Sequence, residues 1–240
     1  MELQIQMSKL RLHGMSTQWQ TLDETRQITE LSLCEGLELL MQAEQEYREN
    51  SRYQRLQKSA RFRYQASIEE LKFDASRGLN KDQITRLAQN KFINTGEAVL
   101  ITGATGCGKS FVASALGNKA CANGFKVAYH NMQKLLLHLK MCRADGTYLK
   151  FCERLAKTHL LIIDDFGLTN LQRQEGLDFL EILEDRHAKN ATIIASQLPV
   201  NKWYDVFAEQ TIADAILDRL VHTAHRIELK GESRRRKSNQ

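Results

Sequence analysis

The sequence predicts an α/β fold: a five-stranded parallel sheet flanked by helices, preceded by a small all-helical N-terminal domain. Residues 1–66 contain almost no β signal and place apolar residues at helical spacing. From residue 98 onward, short apolar β-prone runs alternate with helical stretches, the pattern of a parallel sheet wrapped by helices. Between the first such run and the first such helix, Gly103-Ala104-Thr105-Gly106-Cys107-Gly108-Lys109-Ser110 fills every fixed position of G-x-x-x-x-G-K-[ST]. This is a phosphate-binding loop in the strand–loop–helix setting it needs. The expected domains are residues 1–66, helical; 67–230, α/β; and 231–240, a basic tail.

The 240 residues, 42% of them hydrophobic, suffice for one large domain with a buried core and a smaller one beside it. No apolar run approaches the roughly 20 residues of a membrane span. The start, Met1-Glu2-Leu3-Gln4, lacks the basic and apolar stretches of a signal peptide, so a cytoplasmic location without membrane contact is expected. The five cysteines are scattered with no C-x-x-C pair, which argues against zinc and for reduced thiols mostly in the core. Cys107, in the glycine loop, is expected to be exposed. The net charge of +5 is modest, and its distribution matters more than its size.

In the N-terminal part, Leu3, Met7 and Leu10 form one helical face that Gly14 can end. Ser16 or Thr17 can cap a second short helix with Trp19 and Leu22. Ser32-x-x-Glu35 is a capping box opening a long helix with apolar Leu33, Leu37, Leu40, Met41 and Tyr47. Its far end turns basic. Arg48, Arg52 and Arg55 share one face, Lys58, Arg61 and Arg63 continue the run, and Tyr53, Phe62 and Tyr64 lie between them. Such a stripe suits a nucleic-acid backbone; the alternative is a solvated face docking on the next domain.

Ser67-x-x-Glu70 and Asn80-x-x-Gln83 repeat the capping-box pattern, and a helix is expected over 81–91. Strands are expected at 98–102, 126–129, 160–163, 191–195 and 225–229. Helices are expected over 111–120, from Asn131 to about 141, after the Asp145-Gly146 turn, over 173–189, from Asn201 through Trp203, and over 211–223.

The glycine loop turns backbone N–H groups toward the β- and γ-phosphates of a nucleotide. Gly103 to Ser110, with Phe111 opening the helix behind, are the candidate nucleotide contacts. Lys109 adds a point charge, and the Ser110 hydroxyl is placed to hold Mg²⁺. The third strand ends in Asp164-Asp165, a Walker B-type delivery of carboxylates to the sheet's C-terminal edge. Asp164 is expected to hold Mg²⁺ and Asp165 to polarise an attacking water. Two adjacent acids favour an NTPase that uses water over a small-molecule kinase. Ser196-Gln197 ends the fourth strand, where the Gln197 amide can reach the γ-phosphate or the water, or merely end the strand. Arg219, on geometry alone, can pair with Asp214 or Asp218.

In this order the motifs resemble the IstB family, ATP-binding helper proteins of insertion sequences that encode an IstA transposase. More broadly they resemble the DnaC-type helicase loaders among the AAA+ P-loop ATPases. The resemblance spans Leu12-His13-Gly14-Met15, Ala60-Arg61-Phe62-Arg63-Tyr64, Arg77-Gly78-Leu79, the glycine loop, Leu160 to Gly167, Ser196-Gln197-Leu198-Pro199, Leu217-Asp218-Arg219-Leu220 and Gly231-Glu232-Ser233-Arg234. It implies an ATP- and Mg²⁺-dependent homo-oligomer on duplex DNA that assists an IstA-like transposase; the runner-up is a replicative helicase loader. It also implies that Gln197 is a first sensor and that Arg219 is an arginine finger reaching a neighbour's ATP. Asp165 stands where many AAA+ proteins have Glu, which suits slow hydrolysis. No C-terminal helical lid is expected, and Arg234 is a candidate second sensor.

Overall fold

A computed structural model describes residues 2–231. The basic tail and Arg234 lie outside the described residues. The chain forms two compact units, Met1–Arg55 and Leu56–Gln240.

The first unit holds helices α1 (Glu2–Lys9) and α2 (His13–Glu24), and α3 (Leu33–Ala60) begins in it. The Ser32–Glu35 box opens α3 as expected: the Glu35 carboxylate accepts from Ser32 N, and Ser32 Oγ accepts from Glu35 N. Gly14 does not end α1, which stops at Lys9 before a left-handed turn at Arg11 (φ 59°). Gly14 lies inside α2, where a Cβ would stand 2.3 Å from the Ala43 carbonyl oxygen, so glycine is there for a close approach to α3. Neither Ser16 nor Thr17 caps α2, since its N-cap is Leu12 with no side-chain bond. The buried Glu44 carboxylate does that work from α3, accepting from Gly14 N (2.8 Å) and Met15 N (3.2 Å). Of the apolar residues named along α3, only Leu40 is buried. Leu33, Leu37, Met41 and Tyr47 are exposed, because the two short helices cover just one side of a 28-residue helix.

In the second unit, Asn80 caps α4 (Lys81–Ala88), accepting from Asp82 N and Gln83 N. The Gln83 side chain leaves that box and donates to Arg226 O. The helix expected over 81–91 is broken by Asn90 at φ 61°, and α5 (Lys91–Thr95) follows, ended by left-handed Gly96. Ser67-x-x-Glu70 forms its N–H to carboxylate bond in a turn, without a helix.

The α/β core then runs β1 (Ala98–Gly103), α6 (Lys109–Ala122), β2 (Val127–Asn131), α7 (Met132–Ala144), α8 (Tyr148–Ala156), β3 (Leu160–Phe166), α9 (Arg173–Arg186), β4 (Ala191–Ser196), α10 (Gln210–Val221) and β5 (His225–Leu229). The sheet order is β2-β3-β4-β1-β5, and every pairing is parallel. The central strands β1, β3 and β4 are buried almost throughout, as their apolar runs require. The register of β3 on β4 shifts between Ile163 and Phe166, where Asp165 takes φ 59°. Asn201 opens no α-helix. The segment makes two 3₁₀ turns, Val200–Lys202 and Tyr204–Val206, around a fully buried Trp203 whose Nε1 donates to Leu198 O. Helix α10 starts at Gln210, one residue before the expected start, from Glu209 and without a side-chain cap.

Arg186 closes the opposite edge of the sheet. Its guanidinium is 1% exposed and donates to Leu155 O (2.5 Å), Thr158 O (2.7 Å), Ala191 O (2.5 Å) and Thr192 Oγ1 (3.3 Å). It thereby ties the end of α9 to the starts of β3 and β4.

Candidate functional site

The loop from Gly103 to Gly108 leaves the C-terminal end of β1, where β4 lies on one side and β5 on the other. This is the edge at which ligands bind in open α/β sheets. Gly103, Gly106 and Gly108 take φ of 147°, 81° and 108°. A Cβ at Gly103 would stand 2.2 Å from Leu229 O, whereas one at Gly108 would meet nothing within 4 Å, so the backbone there opens onto the cavity. Helix α6 begins with no side-chain cap at Gly108, which leaves its first-turn N–H groups and positive dipole end for an anion. The cavity holds about 450 Å³ and is lined by this loop together with Arg63, Phe111, Asp165 and Gln197.

Each predicted member of the nucleotide set can be placed. Lys109 is 6% exposed and donates to Gly103 O (2.8 Å) and Ala104 O (2.9 Å), so its charge is held inside the loop. Ser110 Oγ donates to Asp164 Oδ1 at 3.0 Å, bringing a hydroxyl and a carboxylate together as hard oxygen donors. Thr105 Oγ1 donates to Gln197 Oε1 at 2.7 Å, placing the amide at the loop. Ser196 is fully buried: its hydroxyl donates to Phe166 O and accepts from Leu198 N, so it shapes the turn and is unavailable to a ligand. Cys107, expected to be exposed, is buried, with its sulfur 2.9 Å from where a Gly103 Cβ would lie.

Two residues missed in the sequence complete the acidic centre. Tyr129 donates its hydroxyl to Asp164 Oδ2, and Asn131 Nδ2 donates to Asp165 Oδ2 at 2.9 Å. Burial first, then the bond to Asp164, raises the Tyr129 pKa well above its usual value and keeps it a donor. Both sit at the end of β2, which pairs with β3 so that Asn131 lies opposite Asp164. The available signal was a run of polar residues closing a strand adjacent to the acids.

The six predicted DNA contacts divide. Arg48, Arg52, Arg55, Lys58 and Arg61 are exposed, Arg48 being paired with Glu44 at 2.7 Å. Arg63 was expected to continue that stripe, but its Nη1 donates to Asp164 Oδ2 (3.1 Å) and Asp165 Oδ2 (2.9 Å). Partial burial works against its charge, yet the bonds to Asp164 and Asp165 and the neighbouring Tyr64 outweigh this and raise its pKa. Arg219 pairs with neither Asp214 nor Asp218. It donates to Ala215 O and to Glu184 Oε1, both at 2.7 Å. It lines a groove with Gly96, Ala98 and Thr192, at the start of β1 and β4, away from the glycine loop.

Residues 5–240 match the family described as IstB-like ATP binding protein. The chain belongs to that family. An IstB-like relative from Sinorhizobium fredii, described as an insertion sequence ATP-binding protein, is 40% identical over 230 residues, covering 96% of this chain and 94% of its own. Among solved structures, AMPPCP-bound DnaA from Aquifex aeolicus superposes with a TM-score of 0.60 at 18% identity, over 72% of this chain and 52% of that one. The DnaC helicase loader does so with 0.57 at 18%, over 70% and 98%. This IstB-like chain thus has the AAA+ P-loop fold expected from its motifs. Among its described residues no helix is long and apolar enough to cross a membrane.

Proposed function

We propose that the chain is an ATP-dependent, DNA-binding AAA+ ATPase that oligomerises on duplex DNA and assists an IstA-like transposase in target selection. The observation that carries the ATPase part is the meeting of Lys109, Ser110 and Asp165 around one cavity at the C-terminal edge of the sheet, with Asp164 bonded to Ser110 behind it. The insertion-sequence context of the relatives supports the transposition part.

The loop N–H groups and Lys109 bind and orient the triphosphate, while Ser110 Oγ and Asp164 are the residues that would hold Mg²⁺. Bound there, Mg²⁺ would neutralise charge on the phosphate oxygens. Asp165 polarises the attacking water, and Asn131 fixes the direction of its carboxylate. Gln197, anchored by Thr105, orients the same water or senses the γ-phosphate. Arg219 lies at the other end of β1 from its own glycine loop, which supports a role on the nucleotide of a neighbouring copy. Turnover then depends on assembly. The exposed cations from Arg48 to Arg61 supply phosphate contacts on DNA.

The test is to measure oligomer size and duplex affinity with and without ATP, in the wild type and in Lys109→Ala. ATP should tighten DNA binding and DNA should tighten ATP binding by the same factor, because linkage is reciprocal. Lys109→Ala should show neither. Wild-type DNA affinity and oligomer size that ignore ATP would overturn the proposal. The second reading, a helicase loader, rests on the DnaC-like fold. Capture of a replicative helicase in place of a transposase would favour it.

A further inference from the structure

Arg63 holds a position that neither a DNA contact nor a simple surface pair explains. It stands three residues beyond the end of α3, after a left-handed turn at Arg61 (φ 56°). One of its nitrogens bridges both acids, at 3.1 Å to Asp164 and 2.9 Å to Asp165. The Asp164 carboxylate is fully engaged: Oδ1 accepts from Ser110, and Oδ2 accepts from Tyr129 and Arg63. Of these donors only Arg63 brings charge. Lys109, the cation of the glycine loop, is turned onto that loop's own carbonyl groups. Arg63 is also the most movable member of the set, its side chain being 39% exposed while that of Asp164 is at 0%.

A divalent cation held by Ser110 Oγ and Asp164 would need Asp164 lone pairs that now accept from Ser110, Tyr129 and Arg63, and it would repel a guanidinium a few ångströms away. We propose that Arg63 is an internal competitor for the divalent cation: it sets the Mg²⁺ concentration at which the site accepts metal–nucleotide. Metal binding then drives it off the acids. Because Arg63 lies in the short segment just after α3, that displacement shifts the segment joining this helix to the rest of the second unit. This inference rests on the reading of Ser110 and Asp164 as the metal holders.

The sign of the effect separates competition from damage. Without Arg63 the two acids carry unbalanced charge, so Mg²⁺ enters at lower concentration while metal-free ATP, an anion, is repelled more strongly. A merely structural role would weaken both. The experiment titrates Mg²⁺ against a fixed concentration of a fluorescent N-methylanthraniloyl ATP, starting from EDTA, for wild type, Arg63→Ala, Arg63→Gln and Arg63→Lys, with thermal melts as a folding control. The pair is partly screened by solvent, so the expected fall in the Mg²⁺ midpoint for Arg63→Ala and Arg63→Gln is about fivefold. Metal-free binding should weaken in both, and Arg63→Lys should restore the wild-type midpoint. A midpoint that is unchanged or raised in folded Arg63→Gln overturns the inference while leaving the nucleotide site standing. A wild type that binds no nucleotide at any Mg²⁺ concentration overturns both.

Discussion

Replacing Arg219 with alanine distinguishes a residue that serves a neighbouring copy from one that merely braces its own fold. The stabilising contribution can be bounded from the structure. The ion pair to Glu184 is 2.7 Å long, but the two side chains are 26% and 50% exposed. Pairs of that kind contribute about 0.2–1 kcal/mol. For a chain of this size the melting temperature should therefore fall by no more than about 4 °C. A finger completing a neighbour's site is worth roughly 10³–10⁵ in turnover, or about 4–7 kcal/mol of barrier. Action within the same copy is excluded by position. Arg219 lines a groove with Ala98 at the start of β1, and the glycine loop leaves the far end of that six-residue strand. The separation is about 17 Å along the strand alone. The assay is phosphate release at protein concentrations where the assembly forms on DNA, run beside ATP binding and thermal melts. Arg219→Ala should bind ATP normally, melt within a few degrees of wild type and lose at least about a thousandfold in turnover. Mixing it with Lys109→Ala should restore part of the rate, since each variant supplies what the other lacks. A loss under tenfold, or one matched by lost ATP binding, would refute the reasoning.

Asp165→Asn keeps a side chain that Asn131 can orient but removes the base. It should bind ATP, turn over about 10²–10⁴ times more slowly and give longer-lived DNA complexes, checked by phosphate release and filter binding. Arg186→Met leaves the carbonyl groups of Leu155, Thr158 and Ala191 without a buried partner and should cost about 3–5 kcal/mol in urea unfolding. A cost below 1 kcal/mol would show that this guanidinium does not hold the edge together. His130 titrates at about 4, pulled down from 6.5 first by burial and then by Arg154, His138 and Arg61. Its lowered folded pKa means that the stability it contributes is present above pH 6.5 and is lost as pH falls through 4. At about 1.4 kcal/mol per pH unit this amounts to about 3–4 kcal/mol. Melting curves of His130→Phe should fall less steeply than wild type over that window, and equal slopes would remove His130 as the cause.

Much of the α/β unit was legible because its central strands are buried on both faces and so read as unbroken apolar runs. Expected strand β5 agrees with the structure, and β1, β3 and β4 differ only in extending one to three residues further at their C-terminal ends. The Asn131 cap and the glycine loop were legible because each is a local pattern with a local cause. What failed depended on partners distant in sequence. Gly14 looks like a helix stop, but it is small because α3 approaches it. Met41 and Leu33 have helical spacing but nothing in their unit covers them. Cys107 lies in a loop, yet the chain folds its sulfur inward. Tyr129 and Asn131 join the acidic centre only through the register of β2 on β3. The same holds for Arg63, which in sequence is one more basic residue in a basic run.

The left-handed backbone at Asp165 ties the proposed hydrolysis rate to main-chain shape. Among residues with a side chain, Asp and Asn enter that conformation most readily, whereas a longer acid gains nothing there to offset its strain. Glutamate at this position would reach one methylene further toward the water while straining the turn that aims it. A faster form of the ATPase proposed above therefore cannot be reached by lengthening the acid alone; the slip between β3 and β4 would have to relax with it.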